Sequence, residues 1–145
     1  MLGELKPHDV EDLLTRANVG RIGCYAAGRV YVVPVSYAYD GESIYAHSAD
    51  GLKIRSMRAF PRVCFQVDHF VNLANWSSVI AWGTYEELGG ALEERASSLL
   101  VSRLGPLRAI ATAMRDTRVH GVALEASRMT AFRIRLKEKT GRFER

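Results

Sequence analysis

The chain has 145 residues, a formal net charge of +4, and 48% hydrophobic and 25% charged residues, as in one globular domain with enough apolar content for a core. No apolar run approaches the roughly 20 residues that span a bilayer. The acidic, amphipathic start MLGELKPHDVEDLL is unlike a secretory signal, so a cytoplasmic protein with no membrane partner is expected.

In chain order, residues from about His8 to Ala17 predict a helix, with Asp9 as cap, Val10, Leu13, Leu14 and Ala17 at helical spacing, and Gly20 as stop. Two strands follow, Arg21–Ala26 and Arg29–Tyr39, around Ala27–Gly28. Asp40–Gly41 then signals a hairpin into a third, Ser43–His47. On the second strand one face is bulky (Tyr31, Val33, Val35, Tyr37, Tyr39). The other (Val30, Val32, Pro34, Ser36, Ala38) becomes small toward its end. Pro34 cannot donate to a ladder, which predicts an edge or a bulge. Such a strand suits ordinary edge packing, and equally leaves backbone groups open to a flat polar ligand.

The stretch IYAHSADGLKIRSM (44–57) runs from a strand through His47 and Ser48. It turns at Asp50–Gly51 and enters a helix carrying Lys53 and Arg55. Free N–H groups, the positive end of a helix dipole and a lysine suit a phosphate. Taken alone, capping and solubility are the commoner use of such residues.

After Pro61, Val63–Asp68 reads as a strand, 69–76 as a loop, and Ser77–Leu88 as a long strand with Gly83 in its interior. That glycine calls for a bulge or a close approach. Ala91–Leu104 reads as a helix broken by Gly105–Pro106, with a second short helix toward Arg115. Final strands lie near Val119–Glu125 and Thr130–Lys139, the last with Phe132, Ile134 and Leu136 inward and Arg133, Arg135 and Lys137 outward. The sum is a strand-dominated α+β domain of six or seven strands with flanking helices, most simply a closed or nearly closed barrel.

Cys24 and Cys64 fall in strand-like runs with no CxxC or Cys/His cluster, which predicts free thiols and no metal. No GxSxG elbow, Walker A or GxGxxG is present, so triad hydrolysis, nucleotide hydrolysis and Rossmann-type dinucleotide binding are disfavoured. Glu86–Glu87 and Glu93–Glu94 read as solvated faces. Basic residues crowd Arg103–Arg145, but their apolar neighbours read as core, against nucleic-acid binding. What remains is a phosphate-suited turn, a ligand-suited strand, and a Trp–Gly strand able to stack on a flat ring.

The pieces VGRIG (19–23), VYVVPVSYAYDGESIYAHSADGLKIRSM (30–57), PRVCFQVD (61–68), WSSVIAWGTYEEL (76–88) and FRIRLKEKTGR (132–142) resemble, in order, the pyridoxamine 5′-phosphate oxidase-like flavoproteins, and among them the nitroimidazole-resistance branch. The resemblance spans nearly the whole chain. It implies a split β-barrel homodimer with FMN at the interface. By position, Val35, Ser36 and Tyr37 would face the isoalloxazine. His47, Ser48, Gly51 and Lys53 would lie at the ribityl phosphate, and Trp76, Ser78, Trp82 and Gly83 would approach from the partner subunit. His47 is also the candidate catalytic side chain, with a plain strand-end hydrogen bond as its other role. The further basic residues that the vitamin-converting members use for a second phosphate have no full counterpart here. The implied function is an FMN-dependent oxidoreductase acting on a small acceptor such as a nitroaromatic. The alternatives are a non-catalytic flavin- or haem-binding protein and a deazaflavin-dependent reductase.

Overall fold

The computed structural model describes the backbone of residues 1–114 and 129–145 and the side chains of 1–107 and 129–145. A short strand β1 (Leu2–Glu4) precedes helix α1 (Pro7–Arg16), which buries Val10, Leu13 and Leu14 along one stripe. Then come β2 (Val19–Ala26), β3 (Arg29–Ser36), β4 (Ala38–Tyr39) and β5 (Ser43–Ala49). Helix α2 (Leu52–Ala59) leads to the long hairpin β6 (Arg62–Asn72) and β7 (Asn75–Glu87). Helix α3 (Gly90–Met114) and strand β8 (Met129–Glu144) complete the described residues. The strand expected at Val119–Glu125 lies outside them.

All pairings are antiparallel, in the order β3-β2-β6-β7-β8-β5-β4, with β1 on β8. The two ends of that path, β3 and β4, are separated in the chain by Tyr37 alone. The sheet therefore curls until its ends meet at one residue, while the hydrogen-bonded ladder stays open: a split barrel. Tyr37 is held at that corner. Its N–H donates to Asn18 O at 3.0 Å and its hydroxyl to Leu14 O at 2.7 Å. Burial pushes that hydroxyl's pKa up, so it remains a donor.

Inward residues of every long strand, among them Ile22, Ile44, Phe65, Val67, Phe132 and Ile134, form one core with α1 and with Ile54 and Met57 of α2. Each such side chain contributes about 1.5–3 kcal/mol by leaving water. β8 is the spine of the sheet. It pairs with β7 along one edge and with β5 and then β1 along the other.

Five sequence expectations are corrected. Asp9 does not cap α1: the N-cap is Lys6, no side chain caps the helix, and Asp9 lies in its first turn. Residues 69–76 are not a loop: they form the tip of the β6–β7 hairpin, where Phe70 stacks on Trp76 at 5.6 Å and Asn72 Oδ1 accepts the Ala74 N–H at 2.8 Å. The single strand to Tyr39 divides at Tyr37. Gly20 does not stop α1; it lies within β2, where an added Cβ would meet the Phe65 ring at 2.2 Å. Helix α3 runs through Pro106. The residue before it, Gly105, lacks the Cβ whose clash with the proline ring normally expels that position from the helix.

Candidate functional site

Pairing register fixes what the outer face of the sheet presents. Val32, Gly23, Cys64, Trp82 and Glu138 stand opposite one another across β3, β2, β6, β7 and β8. Val30 beside Tyr25, and Arg62 beside Thr84, continue the surface on one side. Together they line an open groove of about 660 Å³. Its walls are apolar side chains left bare: Val30 is 75% exposed, Val32 63% and Tyr25 57%. Gly23 is its floor, where an added Cβ would meet nothing closer than Cys64 Cβ at 3.7 Å. The flat floor is an absence of side chain, not a crowded backbone.

Gly83 differs. The ladder shifts register between Trp82 and Gly83, and an added Cβ there would lie 2.3 Å from Arg135 O. The close approach anticipated from the sequence is present, and it keeps β7 tight on β8 beside the groove.

At the groove's edge α2 packs against β2. Lys53, in its first turn, is half-buried and makes no ion pair among the described residues. Burial lowers the pKa of its ammonium from the ordinary 10.5, and the nearby Cys24, itself a lining residue, partly offsets that. The Cys24 thiol is raised by burial, against the pull of Lys53. Gly51 is the N-cap of α2 and no side chain caps the helix. Among the described residues this half-buried cation has no counter-ion, and it stands beside N–H groups that no side chain caps. These residues fit a dianionic phosphate.

The remaining expected residues fall in separate places. Ser48 is the penultimate residue of β5, just before the same turn, its hydroxyl donating to Ala49 O at 3.2 Å. His47, paired with Ala131 of β8, lies under α3, its Nε2 3.3 Å from Ser97 Oγ. Trp76 and Ser78 share the outer face with Trp82. The Trp76 Nε1–H donates to Glu144 Oε2 at 3.2 Å, and Ser78 Oγ accepts from Gln66 Nε2 at 3.1 Å. Ser36 is exposed on the edge strand β3. Val35 and Tyr37 are 6% and 1% exposed, so their side chains belong to the core and only their backbone can face a ligand.

Gly23, Tyr25, Val30, Val32 and Cys64 were missed as lining residues. Their alternation was legible, but not that these apolar side chains stay uncovered.

The chain matches the profile of pyridoxamine 5′-phosphate oxidase over residues 6–143. It belongs to that family. It is 32% identical over 80 residues to an uncharacterized protein of Rhizobium meliloti; the match covers 55% of the chain and spans about half (53%) of that curated relative. Among solved structures it resembles a FAD-binding protein from Mesorhizobium loti at 30% identity, TM-score 0.78, covering 100% of this chain and 99% of that one. A candidate 5-nitroimidazole antibiotic resistance protein from Bacteroides thetaiotaomicron, 16% identical with TM-score 0.73 over 99% and 87% of the two chains, shares the fold. Recognition of the family and of the split barrel from the sequence is thereby borne out.

Proposed function

We propose that this family member binds FMN, with the phosphate held by Lys53, Ser48 and the N-terminus of α2. The observation that carries this reading is the half-buried Lys53 with no anionic partner among the described residues, at an uncapped helix start. The bare apolar groove supports a homodimer, because a second copy would cover Tyr25, Val30 and Val32 and bring Trp76, Ser78, Trp82 and Gly83 to its partner's cofactor. Bound FMN would supply the redox chemistry, and the chain would bind it, orient it and exclude water. His47, its ring oriented by Ser97, is the side chain beside the turn that can carry a proton to a small acceptor, a nitroaromatic in the leading reading. FAD is a second reading, favoured by the FAD-binding Mesorhizobium protein. A non-catalytic flavin or haem carrier, or a deazaflavin reductase, would use the same fold.

The spectrum of the purified protein separates these. Flavin bands are expected, and mass analysis of the released cofactor distinguishes FMN from FAD. A colourless protein that gains no thermal stability from added FMN sinks the reading. Lys53→Ala should weaken FMN binding by about tenfold or more, the value of one charge-assisted contact. A bound phosphate raises the Lys53 pKa that burial had lowered. The bound state then keeps its proton to higher pH, and FMN affinity falls as pH rises through the free protein's Lys53 value. Riboflavin, lacking the phosphate, should show no such fall.

A further inference from the structure

Asp50 immediately precedes the glycine that opens α2, so its carboxylate stands beside the proposed phosphate turn. A bare carboxylate there would repel a dianion. It also does no capping, since no side chain caps α2. Its partner is Arg58, in the last turn of the same helix, whose Nη1 donates to Asp50 Oδ1 at 3.1 Å. The other side of the same guanidinium donates to Glu87 Oε1, from Nε at 2.9 Å and Nη2 at 2.6 Å. Glu87 is the last residue of β7, and its Oε1 also accepts the Tyr85 hydroxyl at 3.1 Å. One side chain thus ties the turn before α2, the end of α2, and the strand that carries Trp82 and Gly83.

We propose that Arg58 is a positioning residue for the phosphate end of the cofactor site, an inference that rests on the FMN reading above. It fixes the Asp50–Gly51 turn against β7 and shares its one positive charge between both carboxylates without touching the phosphate itself. The geometry needs arginine. Its planar fork spans two carboxylates at once, which a single ammonium at the end of a lysine cannot do in the same directions. Because the bridge joins the turn to the end of β7, it holds the phosphate end of the site in a fixed place on the sheet. The charge balance matters as much: two carboxylates and one guanidinium leave Lys53 as the cation facing the anion.

The test compares FMN with riboflavin, which has the same ring and ribityl chain but no phosphate. Dissociation constants for both are measured by flavin fluorescence with the wild type, Arg58→Gln, Arg58→Lys and Glu87→Gln. The wild type should prefer FMN. Arg58→Gln and Arg58→Lys should each cut that preference about two- to fivefold, leaving riboflavin affinity unchanged. Glu87→Gln, which loosens the bridge from the far end, should act in the same direction and carries the test if Arg58→Gln does not fold. Adding Asp50→Asn to Arg58→Gln should recover part of the loss, because it removes the uncovered carboxylate. A merely structural role would weaken both flavins together, and that result overturns the proposal. So does an FMN preference that survives both Arg58→Gln and Glu87→Gln. A wild type with equal affinity for the two flavins removes the phosphate reading itself, which is a different failure.

Discussion

Gly83 and Gly23 lie on β7 and β2 of one sheet, with β6 between them, yet they answer to different physics. At Gly83 a methyl group would meet the Arg135 carbonyl at 2.3 Å and Ile134 Cγ2 at 2.9 Å, both deep in the β7–β8 ladder. Neither neighbour can swing aside. Gly83→Ala should therefore cost about 2–3 kcal/mol, as overpacking does, read as a lower urea midpoint at unchanged slope. At Gly23 the same methyl enters open space, so Gly23→Ala should leave the midpoint within about 0.5 kcal/mol. Equal losses at the two positions would refute this account. The sequence flagged Gly83 because glycine is costly inside a strand. It gave no such flag for Gly23, whose importance comes from the four strands placed around it.

The β4–β5 hairpin shows how one side chain sets an element. Asp40 Oδ1 accepts the N–H groups of Glu42 and Ser43, each at 2.8 Å, and Oδ2 accepts the Tyr45 hydroxyl at 2.9 Å. Gly41 takes the φ of +99° that the turn requires. Burial alone would raise the Asp40 carboxyl, but these donors outweigh it and hold its pKa below the ordinary 3.8. A depressed folded-state pKa means the contribution is complete above the unfolded value and is lost as pH falls through the folded one. Asp40→Asn should cost about 1 kcal/mol at neutral pH, a small value because the group is exposed, and the difference from the wild type should shrink below about pH 4. A difference that is constant from pH 7 to pH 2.5 would refute the assignment. β8 carries a related lesson. Its outward cations are not a free basic face: Arg133 and Arg135 pair with Glu86 at 2.7 and 3.3 Å, and Arg142 with Glu4 at 3.6 Å. Of the acids that read as solvated in the sequence, Glu86 is the partner of Arg133 and Arg135 across the ladder.

For the whole molecule, the decisive feature is the uncovered groove. An edge strand bearing Val30 and Val32 at 75% and 63% exposure is an aggregation hazard unless something covers it. A second copy is the proposed cover. Val32→Lys tests this, because an exposed position tolerates lysine in a lone chain, whereas a dimer would have to bury the ammonium. The variant should dissociate at protein concentrations at least about tenfold higher than the wild type, measured by light scattering, and lose flavin as it does so. An unchanged oligomeric state places the interface elsewhere.

The sequence by itself determined the strand-rich order of elements, the two alternating faces of β3 and of β8, and the turn from His47 to Lys53. Each of these is written in local periodicity or in turn chemistry, which act over a few residues. Only the tertiary structure decided that Val35 and Tyr37 turn into the core, that 69–76 is a hairpin tip, and that Gly23 is a floor. It alone shows that Arg58 bridges Asp50 and Glu87. These depend on pairs far apart in the chain, such as Tyr37 with Leu14 and Arg58 with Glu87, whose meeting is set by how the sheet curls.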